Sequence, residues 1–502
     1  MTGLAARGSD GRELLATLPP RHGHGQGHGH GRWSTPVRVR TQAAAVVALA
    51  CCLAALTAVL LGQVGGEFHA MGQQDAPEAG ATTGLYFDLN DMDAQVANVL
   101  LVGGDTALAA SRSQDLATYS SDRTAANQDL EQATIAEAGN AAAERQLSQV
   151  LDRTSQYEAL AADALLASQQ ARSTAGRAPA AAVAYYQQAT DLMQAGILPA
   201  VGSLANVSAA RLDAAYQGGK TAGGTGTAWA IALGVVLIAA LLALQVYLAA
   251  RFRRLVNPAL VAATVIAIAF VAVTAVRFNA ESGHLRVAKQ DAFDSIQALS
   301  LARAVSYDAN ADESRYLVDP ARAAQYQQAF LATSQQLANV GRVGIFGYDA
   351  ALATDIRAYD TDGGGSGSGS GSSGDVRFGG YLGAEFRNIT FPGERAAAVA
   401  ALLAYQVYER DDRKLRAMAK TNLAAAVAYD IGTSPGQSDW AFNAYDADLS
   451  SVIAINSAAF AAAVQAGEGD TAAWNLAFPL AGAALLAALA LVGVRPRLAE
   501  YH

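Results

Sequence analysis

Four stretches of the chain carry no Asp, Glu, Lys or Arg and are long enough to cross the hydrocarbon core of a bilayer, which needs roughly 20 apolar residues. They cover residues 42–61, 228–250, 259–276 and 474–494. A buried helix of a soluble protein can be equally apolar, but four such runs with charged flanks favour a membrane protein. The sequence therefore predicts four transmembrane helices in contact with the lipid bilayer.

The basic residues beside these runs predict their orientation, because arginine and lysine are retained on the cytoplasmic side of short loops. The short connection between the second and third runs contains Arg251, Arg253 and Arg254. Basic residues also precede the first run and follow the fourth, namely Arg32, Arg38, Arg40, Arg495 and Arg497. This pattern predicts a multi-pass protein of the cell membrane with both termini in the cytoplasm and two long segments outside.

The predicted organisation alternates short cytoplasmic pieces with long extracytoplasmic segments. In chain order it is a disordered His/Gly-rich cytoplasmic tail (1–41), a span (42–61), an extracytoplasmic four-helix bundle (62–227), a span (228–250), a basic cytoplasmic loop (251–258), a span (259–276), an extracytoplasmic helical domain (277–473) with a Gly/Ser-rich loop (363–374), a span (474–494) and a cytoplasmic tail (495–502). Both cysteines, Cys51 and Cys52, lie in the first span, so no disulfide bond can join the outer segments.

Helical periodicity dominates the outer segments. In the first segment, apolar residues recur every three or four positions, and glycine and proline breakers divide it into helices at about 86–102, 105–138, 141–175 and 179–218. In the second, one helical face leads to the fourth span and consists of Phe442, Tyr445, Leu449, Val452, Asn456, Phe460 and Val464. The predicted fold is an all-α membrane protein in which four transmembrane helices frame two extracytoplasmic helical-bundle, sensor-like domains.

Two short motifs lie at nearly the same distance after the first and third spans. LLVGG covers residues 100–104, and YLVDP covers residues 316–320. This correspondence leaves an internal duplication open.

Two polar motifs resemble metal sites. Four histidines alternate with glycine in the N-terminal tail, namely His22, His24, His28 and His30, and could bind a transition metal. Glycine spacing supplies no preformed geometry, which favours a solvated tail. The motif DLNDMD contains Asp88, Asn90, Asp91 and Asp93 but has Met92 at a ligand position of a calcium loop and no glycine after it. Acidic residues at the start of a helix are the favoured interpretation.

The sequence contains no phosphate-binding glycine loop, no nucleophile elbow and no kinase signature. The predicted spans carry no charges, which argues against a proton or ion path. The cytoplasmic pieces are too short to fold a catalytic domain. We therefore expect a receptor without an output domain of its own: not an enzyme, with no catalytic residues, no cofactor, no metal and no nucleic-acid partner.

Five stretches resemble the GlnX-type actinobacterial membrane relay proteins. They are EFRNITFPGERAAAV (385–399), GTSPGQSDWAFNAYDADL (432–449), AAVAYYQQATDLMQAGILPA (181–200), VNPALVAATV at the third span and QALSLARAVSYDANADESRYLV (297–318). The resemblance implies four spans, tandem helical sensor-like domains and a role in amino-acid sensing. Such proteins relay aspartate and glutamate availability from an extracytoplasmic amino-acid-binding lipoprotein to a cytoplasmic serine/threonine kinase, protein kinase G, which controls 2-oxoglutarate and glutamate metabolism.

The resemblance identifies two candidate docking motifs for the binding protein. The first consists of Asn388, Phe391, Pro392, Gly393, Glu394 and Arg395, and the second of Gly432, Thr433, Pro435, Gly436, Trp440 and Phe442. For both motifs the favoured alternative is a structural role, in which their residues form turns and cap helices of the bundle. Arg251, Arg253 and Arg254 are expected mainly to fix the orientation of the spans in the membrane. Contact with the kinase is their secondary role.

Two other functions remain open from the sequence. The outer bundles could bind a small ligand directly, as chemoreceptors do, or the protein could be a structural or transport-accessory membrane protein. The sequence also leaves the oligomeric state open, including a homodimer.

Overall fold

The computed structural model describes residues 35–252, 257–359, 376–474 and 476–499. These residues form fifteen α-helices and no β-strand, so the all-α prediction is confirmed for them. The helices are α1 (Thr35–Ala70), α2 (Ala76–Val102), α3 (Ala109–Ala136), α4 (Ala141–Ala171), α5 (Ala180–Leu192), α6 (Leu198–Phe252), α7 (Pro258–Arg286), α8 (Asp294–Val318), α9 (Ala323–Leu337), α10 (Ile345–Tyr359), α11 (Gly380–Asn388), α12 (Glu394–Ala419), α13 (Leu423–Asp430), α14 (Ser438–Trp474) and α15 (Ala477–Ala499). The His-rich tail, the Gly/Ser-rich loop, Arg253 and Arg254 lie outside the described residues.

Three π-helical turns join neighbouring helices into long rods. Met71–Asp75 connects α1 with α2, Met193–Ile197 connects α5 with α6, and Val287–Phe293 connects α7 with α8. The helix predicted to start at residue 86 therefore starts earlier and is continuous with the first apolar run. The glycines between residues 62 and 84 do not interrupt it, because tertiary packing stabilises a helix more than intrinsic propensity does.

The four predicted apolar runs come together in one cluster. α1 and α7 each contact both α6 and α15, and Leu53, Leu241, Leu260 and Leu486 are buried among them. The outer faces of these helices are apolar as well, with Val246 and other large aliphatic side chains exposed. Helical stretches of about 20 residues that are apolar on all sides are compatible with a membrane protein.

Five helical stretches are long and apolar enough to cross a membrane, where the sequence predicted four. Three of the five contain the first three predicted runs, Ala477–Pro496 covers residues 477–494 of the fourth run, and the fifth stretch is Ser438–Gly469 within α14. This fifth stretch buries the first part of the predicted stripe, from Phe442 to Val452, in an aromatic core with α8 and α12. Trp440 is the only large apolar side chain exposed on the described part of α14.

The two outer segments share a core instead of folding apart. α2 of the first segment packs along α8 of the second. Leu317, Leu415 and Val427 of the second segment are buried in the same cluster as the helices of the first. The predicted pair of bundles is therefore joined by a common interface.

The two halves repeat the same local architecture. A π-helical turn begins at Met71 in the first half and at Val287 in the second, 216 residues later. The following helix ends at Val102 and at Val318, again 216 residues apart. This constant offset favours the internal duplication, with α2 and α8 as corresponding helices that pack against each other.

A small apolar cluster lies between the four-helix apolar bundle and the outer helices. Phe68, Tyr216, Phe278 and Val464, one from each of α1, α6, α7 and α14, are buried in it. The backbone of Gly467 approaches the Phe68 ring so closely that a Cβ atom there would collide with it. α1, α6, α7 and α14 are therefore packed together at the level where the apolar bundle meets the outer helices.

Candidate functional site

The motif DLNDMD lies in the interior of α2 and not at a helix start, so that prediction was wrong. Asp88, Asn90, Asp91 and Asp93 are all buried. Successive residues point in different directions around a helix, and α2 has α3, α6 and α8 packed around it. Asp88 and Asp91 lie beside acidic residues of α3, whereas Asp93 meets Arg315 of α8. Among the described residues, no group of three or more His, Cys, Asp or Glu could hold a metal ion.

Asp93 forms a buried ion pair that connects the two halves. Nη2 of Arg315 on α8 donates to Oδ2 of Asp93 at 2.6 Å, and Nη1 of Arg315 donates to Asp312 at 2.7 Å. The hydroxyl groups of Tyr157 and Thr190 also donate to the Asp93 carboxylate, at 3.1 and 3.0 Å. The side chains of Asp93 and Arg315 are 0% and 2% exposed. Four helices thus converge on one compensated charge pair.

A second polar contact, made by the residue before Arg315, ties the same end of α8 to α2 and α13. The Ser314 hydroxyl donates to Oδ1 of Asn98 on α2 at 2.5 Å, and its oxygen lies 2.9 Å from Oδ2 of Asp430 on α13. Burial, followed by the charge of Asp439, raises the pKa of Asp430 well above its usual range. We call the polar side chains between α2 and α8 the junction.

An acidic cavity of about 170 Å³ adjoins the junction, between α2, α3, α8 and the start of α14, and Asn98 lines it. Its carboxyl groups are Asp91, Asp115 and Asp439, and Tyr307 and Phe442 provide aromatic walls. Among the described residues that line it, none is a Lys, Arg or His. The cavity therefore concentrates negative charge without a basic partner in its wall.

The three carboxyl groups are electrostatically unfavourable together. Burial, then the charges of Asp439 and Asp91, raises the pKa of Asp115 to about 8. Burial raises the pKa of Asp439 to about 7 and that of Asp91 to about 6, although each accepts a side-chain hydrogen bond, from Asn310 and Gln95 respectively. Oδ2 of Asp115 is buried and has no hydrogen-bond partner. Such a group is costly unless something pairs with it.

The first predicted docking motif is largely occupied with internal contacts. Nδ2 of Asn388 donates to Ser295 at 2.9 Å. Glu394 is fully buried, and its Oε2 accepts from the backbone N–H of Phe391 at 2.8 Å while its Oε1 accepts from Asn456 at 2.7 Å. These bonds fix the turn before α12, as the turn and cap alternative predicts.

Three residues of the same motif have more exposed surroundings. Pro392 is exposed, and Gly393 adopts φ +85° at the start of α12. Gly393 and Arg395 line an open groove of about 760 Å³, where Arg395 donates to the hydroxyl of Tyr359 at 2.7 Å.

The second motif forms the turn before α14. Gly436 has φ +86°, which a side chain rarely adopts, and the N–H of Trp440 donates to the carbonyl of Gly432 at 3.1 Å. Thr433 and Pro435 are exposed. Trp440 is 39% exposed, whereas Phe442 is buried.

The structure does not bring the two motifs together. The second motif surrounds Ser438 at the start of α14, and the first contacts Asn456, about 27 Å further along that helix at 1.5 Å per residue. Thr433 and Phe442 of the second motif line the acidic cavity. Arg251 lies near the end of α6, and its side chain is outside the described part of the chain, as are Arg253 and Arg254.

Sequence reasoning did not identify Asp115 and Asp439 as site residues. A signal for the first was present, because Asp115, Asp122 and Asp129 recur every seven residues and so share one face of α3. Asp115 and Asp122 on that face are buried. Acidic residues on the buried face of a helix indicate a polar interface and not a simple apolar core.

Residues 67–217 match the family model described as an actinobacterial sensor domain. The matched part contains α2 to α5 and therefore Asp91, Asp93 and Asp115. No curated protein and no solved structure matches the chain. The match indicates that residues 67–217 are similar to an actinobacterial sensor domain, which suggests a sensing or signalling role for the part of the molecule that contains α2.

Proposed function

We propose that the protein is a transmembrane signal relay that detects an extracytoplasmic event at the junction and transmits it through the bilayer. The observation that carries the proposal is helical continuity. Helical structure runs without interruption through Val37–Val102 and through Pro258–Val318, from an apolar run to the junction. A movement of α2 against α8 therefore has a direct mechanical path to the opposite ends of α1 and α7.

In this proposal four helices cross the membrane and α14 does not. A fifth span would place the two termini on opposite sides of the bilayer, although both carry basic residues beside an apolar run. α14 also places the carboxylate of Asp446 against Arg303 at 2.6 Å and buries Asn456, as expected for a helix in a polar core. The cell membrane and the cytoplasmic position of both termini belong to the proposal.

Buried ion pairs suit a relay because they favour a small number of discrete arrangements. The Asp93–Arg315 pair cannot slide gradually, since each intermediate position would leave a buried charge without a partner. Packed interfaces with such pairs switch between states and do not deform continuously. A ligand or docking protein that binds one arrangement better shifts the population towards it.

The proposed partners follow from the short cytoplasmic pieces and the resemblance to GlnX-type proteins. No catalytic domain is proposed for the chain itself. A separate cytoplasmic serine/threonine kinase of the protein kinase G type is expected to read the state of the spans. An extracytoplasmic lipoprotein that binds aspartate or glutamate is expected to supply the input, so that the pathway adjusts 2-oxoglutarate and glutamate metabolism.

The continuity of the helices gives the test. A Gly-Gly insertion between Gly65 and Gly66 interrupts α1 between the apolar run and the junction. The matched control is a Gly-Gly insertion between Gly139 and Asn140, in the turn between α3 and α4. We expect the first insertion to abolish the change in phosphorylation of the kinase's target when cells receive aspartate or glutamate, and the second to preserve it. A normal response after the first insertion contradicts the relay.

Direct sensing of a small ligand is the second candidate function, and the acidic cavity favours it. Exposed residues such as Thr433 and Asn443 form its rim, so a ligand could enter without a docking protein. Titration of the purified full-length protein in the absence of the lipoprotein separates the two mechanisms. Saturable binding to the isolated protein supports direct sensing.

A further inference from the structure

We propose that a second cavity, between α2, α8 and α14, binds a small monocarboxylate with an apolar body. This cavity has a volume of about 210 Å³ and shares no lining residue with the acidic cavity. Gly80 and Gly84 of α2, Ile296 and Ser300 of α8 and Ile453 of α14 line it, and we call it the apolar cavity. The effect of the ligand on signalling rests on the proposed function, but binding itself does not.

The first argument is open space at a packed helix interface. α2 lines the apolar cavity largely with small residues, namely Ala76, Ala79, Gly80 and Gly84. A Cβ atom built on Gly80 would meet nothing within 4 Å, although α2 and α8 pack along each other. Protein interiors are close-packed, and about 210 Å³ far exceeds the ~10–15 Å³ that one water needs. Gly80 is exposed, so a ligand can enter from the protein surface.

The second argument is a row of polar side chains on one face of α8. Gln297, Ser300 and Arg303 follow one another at intervals of three residues, and all three line the apolar cavity. Gln297 and Ser300 are half-buried, and neither side chain has a hydrogen-bond partner among the described residues. An amide NH₂ group, a hydroxyl group and a guanidinium group can all donate to a carboxylate oxygen. The row therefore presents donors on one side of a mostly apolar space.

Arg303 is held in place and keeps donors for a second acceptor. Its Nε and Nη2 donate to the carboxylate of Asp446 at 2.6 and 2.9 Å, and its guanidinium lies 4.2 Å from the centroid of the Phe87 ring. The side chain is 32% exposed, and arginine has five N–H donors. Arg315, twelve residues later on α8, donates to three carboxylates of the protein. One guanidinium of this helix thus accommodates several carboxylates, and Arg303 has room for that of a ligand.

The charge of the lining separates the ligand classes. Among the described residues that line the apolar cavity, Arg303 is the only one that carries a charge. An amine would meet this guanidinium and no carboxylate, and the ammonium group of a free amino acid would have no acidic partner in the wall. The apolar walls, which include Phe293, Ile296 and Ile453, match a hydrocarbon body. A short branched monocarboxylate without an ammonium group satisfies both parts of the cavity.

Two carboxyl groups outside the lining make binding sensitive to pH. Asp129 lies against the cavity wall at Gly84, and Asp88 is close enough to Arg303 to interact with its charge. Burial raises the pKa of Asp129 to about 6, and burial followed by the charge of Asp129 raises the pKa of Asp88 to about 7. The other charged or titratable groups around Asp88 are Asp91 and Asp122. A bound carboxylate disfavours the ionised form of these neighbours, so its affinity should fall as the pH rises from 6 to 8.

The position of the apolar cavity connects a ligand with the relay. Ala76 directly follows the π-helical turn between α1 and α2, and Phe293 ends the π-helical turn between α7 and α8. Ala76 is also 15 residues beyond residue 61, where the first apolar run ends, which is about 22 Å of helix. The cavity therefore lies outside the bilayer core, where both rods leave their π-helical turns. A ligand between α2 and α8 favours one packing of the two rods over the others.

The experiment is calorimetric titration of the full-length protein in lipid nanodiscs. The probe is 3-methylbutanoate, with 3-methylbutan-1-ol as the neutral match and 3-methylbutylamine as the cationic match. We expect saturable binding of the carboxylate alone. Empty nanodiscs titrated in parallel correct for partition of each probe into lipid.

Two variants test the two parts of the cavity. Gly80→Leu fills the open space and should weaken binding by at least about tenfold, whereas the control Gly347→Leu makes the same change on α10, where a Cβ atom also meets nothing within 4 Å, and should leave the affinity unchanged. Ser300→Ala removes one donor and should weaken binding by about tenfold, because hydrogen bonds to charged groups are strong. Its control is Ser451→Ala at an exposed position of α14.

Three results overturn the proposal: no saturable binding of the carboxylate, equal binding of the alcohol or the amine, or equal affinity in Gly80→Leu and wild type. Should Gly80→Leu fail to fold, an unchanged affinity in Ser300→Ala contradicts the proposal in its place. Because the titration contains no kinase and no lipoprotein, it is independent of the relay test. Absence of binding with a positive insertion experiment removes only the ligand, and the reverse outcome leaves a carboxylate site without the proposed relay.

Discussion

Asp93 and Asp91 lie two residues apart on α2 but face roughly opposite sides of the helix, because each residue turns the chain by about 100°. Asp93 meets Arg315 and hydroxyl donors, so its charge is compensated within the protein. Asp91 faces a cavity shared with two further carboxyl groups and no basic side chain in the described lining. The comparison indicates that the first side holds the two halves together through a compensated charge, while the second places carboxyl groups together without a basic side chain in the described lining.

Arg315→Met should have the largest effect on stability. It leaves Asp93 and Asp312 buried without their shared cation, and loss of one partner from a buried pair costs about 3–5 kcal/mol. Thermal unfolding of the purified protein should show a clearly lower Tm. An unchanged Tm would mean that Arg315 does not stabilise the buried charge of Asp93, which would then resemble the carboxyl groups of the cavity.

Asp93→Asn should destabilise less than Arg315→Met. Arg315 keeps Asp312 and Asp308 as partners after the change, so no buried cation is left unpaired. Loss of the charged hydrogen bond should cost about 1.5–3 kcal/mol. The comparison of the two Tm values shows whether loss of the Arg315 charge or loss of the Asp93 charge destabilises the protein more.

Asp115→Asn should have the opposite sign and stabilise the protein at high pH. The pKa of Asp115 is raised to about 8 in the folded protein, above its ordinary value. Its favourable contribution is fully present below the unfolded pKa of roughly 3.9 and is lost as the pH rises through 8. The Tm advantage of the variant should therefore grow between pH 5 and pH 8. A constant difference across that range contradicts the repulsion in the cavity.

Arg322→Met should have the smallest effect. Arg322 donates to Asp191 at 2.7 Å across the two halves, but the aspartate side chain is 55% exposed. Exposed pairs contribute about 0.2–1 kcal/mol and weaken with salt. A Tm loss comparable to that of Arg315→Met would show that connection of the halves matters more than burial of the charge.

Much of the fold could be predicted because it depends on local periodicity. The stripe from Leu147 to Ala164 is buried in α4, and the stripe that starts at Phe442 is buried in α14, as their three- and four-residue spacing indicated. The apolar runs likewise correspond to α1, α6, α7 and α15, since length and lack of charge are properties of each segment alone.

The candidate site could not be predicted in the same way. The partner of Asp93 is Arg315, 222 residues away, and nothing in the spacing around either residue indicates the other. The interpretation of DLNDMD as the start of a helix was wrong because α2 continues back through a π-helical turn into α1. The proposed docking motifs occupy turns, as their glycines indicated, but only the packing of α14 shows that Phe442 borders a cavity.

The sequence by itself determined the helical class, the four uncharged runs and the positions of most buried stripes, because these follow from composition and spacing within single segments. Only the tertiary structure decided that the two outer segments share a core, that Asp93 is compensated and that Asp91, Asp115 and Asp439 face one another. The reason is physical: the energy of a buried charge depends on what surrounds it, and here those surroundings come from helices far apart in the chain.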